Sequence, residues 1–214
     1  MGLAGFDSRL RTPGNGDTGN NKPKGNEVPN HCQNFTDVAG PTSDLRLFIE
    51  KLYNEDGEVL LSNLMPRPEN EPSNGYKWEC ANWGTKWGDY EHFVDAYDLF
   101  EEDEDKDTIS FGYHTAWGPF SAGFWEKVSA MFPTLTFSTT YEESGCCFAG
   151  AVLAKNGVVF EKYTENLPDF PSGDGDQYVE AFDKWNDEMA VLRDQMADWC
   201  AEQMANHDSV EVTA

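Results

Sequence analysis

The order of strand and helix signals along this chain predicts an α+β fold, with an antiparallel sheet of the split βαβ kind, extra C-terminal strands and one long C-terminal helix. Three observations carry that expectation. Short β-rich runs at about 31–38, 108–113, 135–141 and 147–153 read as strands, and apolar residues three and four apart at 45–52 and 124–132 read as helices between them. A seven-residue apolar repeat then runs from Tyr178 to Trp199.

Residues 1–28 are rich in Gly, Asn, Pro and Lys and lack apolar periodicity, so they read as an arm that cannot bury enough surface to fold alone. After the strand at His31–Val38, Gly40-Pro41-Thr42-Ser43 supplies a turn and cap. A helix is expected from about Ser43 to Tyr53 on Leu45, Phe48, Ile49 and Leu52, stopped by Asn54-Glu55-Asp56-Gly57. Leu60 to Met65, a loop through Pro66, Pro68 and Pro72, and an aromatic segment from Tyr76 to Trp87 follow. Strands at about 91–100 and 108–113 then flank an acidic run, Glu101-Glu102-Asp103-Glu104-Asp105-Lys106-Asp107, expected as an exposed hairpin tip because so much charge is not buried. A second helix after Pro119 places Phe124, Val128, Met131 and Phe132 inward and ends at Pro133. The runs Leu135–Tyr141 and Cys147–Leu153 bracket Glu142-Glu143-Ser144-Gly145 as a hairpin, and Asn156-Gly157 turns the chain into Val158-Val159-Phe160.

A Gly- and Asp-rich loop through Pro168 and Pro171 leads to the last helix, expected at about 176–205. Its seam is Tyr178, Phe182, Trp185, Met189, Leu192, Met196 and Trp199. Packing on the chain's own sheet accounts for such a stripe, and a homo-oligomer or a partner helix is the alternative. The expected division is an arm at 1–28, an α+β domain at 29–165, and an acidic loop with the long helix at 166–214.

Fifteen Lys and Arg against 39 Asp and Glu give a net charge of -24. The arm escapes this bias, with Asp7, Asp17 and Glu27 against Arg9, Arg11, Lys22 and Lys24, whereas residues 161–211 carry fourteen acids against three bases. A body so charged repels nucleic acid and anionic membrane, which points to basic or neutral partners, unless the charge serves solubility alone. Composition also excludes a wholly disordered acidic chain, because 39% of residues are hydrophobic and 14% aromatic. With no apolar run approaching the ~20 residues of a membrane span and no signal-peptide pattern, a cytoplasmic location is expected. Five cysteines without CxxC spacing (Cys32, Cys80, Cys146, Cys147, Cys200) read as reduced thiols.

Two side-chain sets qualify as candidate sites beside the acidic run, whose interaction residues are Glu101, Glu102, Asp103, Glu104, Asp105 and Asp107. Trp83, Trp87 and Trp117 with Thr85, Lys86 and Thr115 supply rings and polar groups for a planar ligand or base, or else form a structural cluster in which Gly84 permits a tight turn. His31, Cys32, Cys80 and His114 are zinc-binding types at scattered spacing, too weak to assign a metal. Asp174-Gly175-Asp176 lacks the glycine and ligand series of a calcium loop and reads as acid at a helix start. No nucleophile, zincin, Walker or dinucleotide motif is present, so no catalytic residue and no cofactor are assigned.

Four strings, in order, carry a resemblance: Pro29-Asn30-His31-Cys32-Gln33-Asn34, Asn82-Trp83-Gly84-Thr85-Lys86-Trp87, Thr115-Ala116-Trp117-Gly118-Pro119 and Cys147-Phe148-Ala149-Gly150. Across roughly residues 29–163 the chain resembles the YubB-type ferredoxin-like family of phage and plasmid accessory proteins. The resemblance implies a ferredoxin-like domain in a mobile-element protein and no defined reaction; it leaves out the arm, the acidic run and the long helix. With the charge, it sets the leading expectation: a non-enzymatic protein that binds a host protein with a basic surface, as a nucleic-acid mimic countering host defence. The alternatives are a small-ligand or nucleotide-binding module built on the tryptophan strings, and a phage structural or assembly protein using the arm and the last helix.

Overall fold

A computed structural model describes residues 30–54, 57–71, 76–92, 107–145, 147–172 and 174–211. The expected arm, the acidic run from Glu101 to Lys106, and 93–100 of the expected strand at 91–100 lie outside them.

Strand β1 (His31–Ala39) alternates, burying Cys32, Asn34, Thr36 and Val38 on one face and turning His31, Phe35 and Asp37 outward on the other. It pairs antiparallel with β2 (Thr108–Ala116) on one side and with β3 (Thr136–Glu143) on the other. Strands β2 and β3 therefore run parallel to each other with β1 between them, joined by α3 (Ala122–Met131). That is a split βαβ unit. Strands β4 (Phe148–Lys155) and β5 (Val158–Thr164) continue the antiparallel sheet in the order β2-β1-β3-β4-β5. The α+β fold, the extra C-terminal strands and the long terminal helix all stand as the sequence predicts.

Two separate cores cover the two faces. Helix α1 (Thr42–Glu50) and α3 press Leu45, Phe48, Ile49, Phe124, Trp125 and Val128 onto Val38, Phe111, Tyr113, Phe137 and Tyr141. On the other face α4 (Gly175–Glu211) lies on β4 and β5, burying Trp185, Met189, Met196, Cys200 and Met204 against Ala149, Ala151 and Leu153. The seam thus rests on the chain's own sheet. Trp185 also donates its indole N–H to the Pro168 carbonyl at 3.1 Å, Phe182 stacks with Tyr178 and Trp185, Leu192 packs half-buried beside them, and Trp199 lies under Lys162. These contacts bury the middle of the stripe within the chain itself.

Several boundaries differ from expectation for local reasons. Leu61–Leu64 form a 3-10 turn, because the buried Asp89 carboxylate accepts the N–H groups of Leu61 and Ser62 at 2.6 and 2.9 Å. The aromatic segment opens with a short helix, α2 (Lys77–Asn82). Glu91 has φ 49, so the chain turns there, after Tyr90 has bridged to His114. Glu142 and Glu143 belong to β3, in register with Ala149 and Phe148, and the hairpin reverses beyond them. Met131 is 48% exposed, because α3 ends there and the non-helical backbone at Phe132 carries that ring inward instead.

Candidate functional site

The tryptophan strings divide into a structural half and an exposed half. Trp83 is buried, with its indole N–H given to the Met65 carbonyl at 2.9 Å, and its own carbonyl accepts the Ser121 N–H at 2.8 Å. Ser121 in turn caps α3, its hydroxyl accepting the Phe124 N–H at 3.3 Å. Gly84 sits between them at φ 83, where a Cβ would lie 2.6 Å from the Ser121 Cβ, so only glycine lets the string close on the helix start. Thr85 is buried and donates to the Trp87 carbonyl at 2.6 Å, while Thr115 donates to the Gly118 carbonyl at 2.7 Å and accepts from the Asn34 amide at 2.9 Å. Trp83, Thr85 and Thr115 are therefore brackets of the fold.

Trp87, Trp117 and Lys86 do come together, and Tyr76 joins them. The Lys86 ammonium lies 4.4 Å from the centroid of Trp117, 5.4 Å from Trp87 and 5.8 Å from Tyr76, within cation–π range of all three. Tyr76 and Trp117 are 52% and 43% exposed and meet edge to face, at 6.0 Å and 81°. Trp117 holds φ 73, a left-handed conformation unfavourable for a bulky residue. It is fixed there by its N–H bond to the Asn30 carbonyl at 2.9 Å and by the Thr115 clasp on Gly118.

At the same end of the sheet, on the face that α4 leaves uncovered, Asn30, His31, Gln33, His114, Glu142, Glu143, Ser144 and Gly145 line a polar cavity of about 340 Å³. The Tyr90 hydroxyl bonds to His31 Nδ1 at 2.7 Å, the two imidazoles meet edge-on at 5.7 Å, and Glu91 stands 3.5 Å from His114. Burial holds His114 below its ordinary pKa, although Glu91 pulls the other way, and burial beside Glu91 pushes the Tyr90 hydroxyl up to about 12. A neutral imidazole among carboxylates accepts hydrogen bonds, so the cavity suits donors and cations. Arg193 of α4 reaches its edge, pairing with Glu142 and lying over Phe35, itself 37% exposed.

The zinc-type set does not assemble. His31 and His114 are neighbours, but Cys32 points into the opposite core and Cys80 is exposed on α2. Among the described residues no group of three or more His, Cys, Asp or Glu side chains could hold a metal. Cys32, Cys80, Cys147 and Cys200 are all reduced; burial raises the thiol pKa of Cys32, and that of Cys200 to about 11. Of the acidic run, Asp107 alone is described, exposed just before β2, whereas Glu101, Glu102, Asp103, Glu104 and Asp105 fall outside.

A charged surface of defined shape is present on α4. Asp176, Glu180, Asp183, Asp187, Asp194, Asp198 and Glu202 are all exposed, and at 3.6 residues per turn they fall on the side of the helix opposite Trp185, Met189 and Met196, whereas Asp208 turns back to Lys155 of β4 at 3.4 Å. The helix carries two Lys or Arg: Lys184 pairs with Glu188 on the flank and Arg193 turns to Glu142. Tyr76, six residues before Asn82, was not among the expected pocket residues.

The sheet order, the split βαβ unit and its helices make this a ferredoxin-like α+β protein. A family model described as a ferredoxin-like domain in Api92-like protein matches residues 96–183, a segment that includes β2 through β5 and enters α4. No curated protein and no solved structure matches the chain. No helix among the described residues is long and apolar enough to cross a membrane.

Proposed function

We propose that this chain is a non-enzymatic accessory protein of a phage or plasmid that binds a basic host protein, offering carboxylates where that host protein would otherwise meet nucleic-acid phosphates. The single observation that carries the reading is the carboxylate stripe of α4, anchored by the apolar seam behind it. At 1.5 Å per residue the stripe from Asp176 to Glu202 extends about 39 Å, with one carboxylate every ~6.5 Å, roughly half the linear charge density of one DNA strand. A long, rigid row of like charges repels itself and adds nothing to the fold, so its persistence along one face favours a cationic partner over solubility alone. The resemblance to mobile-element proteins supports the host as the source of that partner.

The test is capture from host lysate with wild type and with Asp183→Asn, Asp187→Asn, Asp194→Asn and Asp198→Asn combined. The stripe reading expects capture of DNA-binding proteins that weakens with salt and is largely lost in the amide variant, whose melting temperature is unchanged or higher. Capture that ignores both salt and the amides rejects it. A second reading, a ligand-binding module at the tryptophan strings, is favoured by the ring cluster around Lys86.

A further inference from the structure

We propose that Tyr76, Trp87 and Trp117 form a seat for a guanidinium group, and that in the free protein Lys86 occupies it as a tethered plug. Three rings face one point in space, and that point is already held by a cation at 4.4 to 5.8 Å from each centroid. The arrangement therefore selects positive charge by its geometry. Two of the rings are about half exposed, so the seat opens to solvent and a larger cation has a path in.

The backbone at Trp117 is the second, independent observation. A tryptophan at φ 73 is strained relative to a relaxed backbone. Gly118, which tolerates that conformation without strain, is the very next residue, yet the left-handed position holds the tryptophan. Hydrogen bonds on both sides lock it there, so the fold spends stability to aim this ring at the cation. A ring needed only for packing would not require an unfavourable backbone at a half-exposed site.

Guanidinium is the cation that best displaces a lysine. An ammonium is compact and strongly hydrated, whereas a guanidinium is planar, weakly hydrated and stacks on indole faces. It gives up less water on entering and offers a flat surface to Trp117 while its edge meets the Tyr76 wall, set at 81° to it. The source of the group as an arginine of a protein rests on the basic partner proposed above, and the net charge of -24 concentrates such side chains near the surface. The cation seat itself does not depend on that reading.

The experiment is a titration of the full chain with methylguanidinium, methylammonium and tetramethylammonium, followed through the indole N–H signals of Trp87 and Trp117 by NMR. Methylguanidinium is expected to shift both signals at the lowest concentration. Lys86→Ala empties the seat and tightens methylguanidinium binding roughly tenfold, whereas Lys86→Arg fills it with a tethered guanidinium and abolishes the response. Opposite movement of the two variants is something a merely structural lysine does not produce. Trp117→Gly removes the response while keeping the melting temperature, since glycine accepts the same backbone. Unmoved Trp87 and Trp117 signals, or both Lys86 variants behaving like wild type, overturns the seat; preference for tetramethylammonium overturns the guanidinium assignment. The α4 amide variant should titrate like wild type, so a failure of the stripe and a failure of the seat are read separately.

Discussion

The two faces of the sheet are packed by different means. Under α1 and α3 the core is aromatic and interlocked: Phe120 stacks on Phe124 at 4.1 Å, Trp125 meets both edge-on, and Phe48 and Trp125 both contact Phe137. Under α4 it is built from Ala149, Ala151 and three methionines, with Phe182, Leu192 and Trp199 only half covered. Small residues on β4 let the helix approach, and methionine fills irregular gaps without fixing one geometry. Rigid rings make the first core the source of a unique fold, whereas the second holds in place a helix whose outer face does the work.

The largest expected effect lies in the aromatic core. Trp125→Ala should cost about 3–5 kcal/mol and lower the melting temperature of the whole chain in one transition. Ala151→Leu, by contrast, overfills the seat of α4 and should cost about 1–3 kcal/mol, with loss of amide protection along α4 while β1 and β2 keep theirs. If both variants melt all elements together, the cores are not separable.

Cys32 and Cys200 sharpen the comparison, because one buried thiol reports on each core. Alkylation under native conditions, read by mass spectrometry at each site, should reach Cys200 through release of α4 well before Cys32, which needs the sheet itself to open. Equal rates would mean that α4 detaches only on global unfolding.

The smallest effect concerns pH. Burial holds His114 below 6.5, against the pull of Glu91, with His31, Tyr90, Glu142 and Glu143 around the same cavity. The unfolded chain therefore takes up this proton first, and stability falls as pH drops from 6.5 toward the depressed folded value. His114→Gln should flatten that part of the stability-against-pH curve, measured by denaturant midpoint.

The strand and helix order was legible because alternating and three-four spacing survive in β1, α3 and the α4 seam. Tertiary pairing was not. That β1 sits between β2 and β3 depends on contacts about eighty and a hundred residues apart, as in Asn34 to Thr115 and Thr36 to Thr139, and no local pattern encodes them. The tryptophan strings drew attention as a pocket, yet chain direction at Gly84 and Ser121 sends Trp83 into the core and only Trp87 and Trp117 outward. Tyr76 was invisible as a partner because α2 was not expected, and the helix is what brings that ring round to Lys86. The acid surplus at 161–211 was plain from counting. Its one-sidedness needed the helix phase, fixed by the buried seam.

A displacement assay puts the central claim, that the α4 stripe replaces phosphates, at most direct risk. A captured DNA-binding partner is loaded with fluorescent duplex DNA, and the chain is added in increasing amounts at constant salt. Wild type should release the DNA, and the variant with Asp183, Asp187, Asp194 and Asp198 changed to Asn should fail to do so at the same concentrations while melting at the same temperature or above. Release by the amide variant equal to that by wild type, or retention of the DNA in the presence of both, would contradict the account.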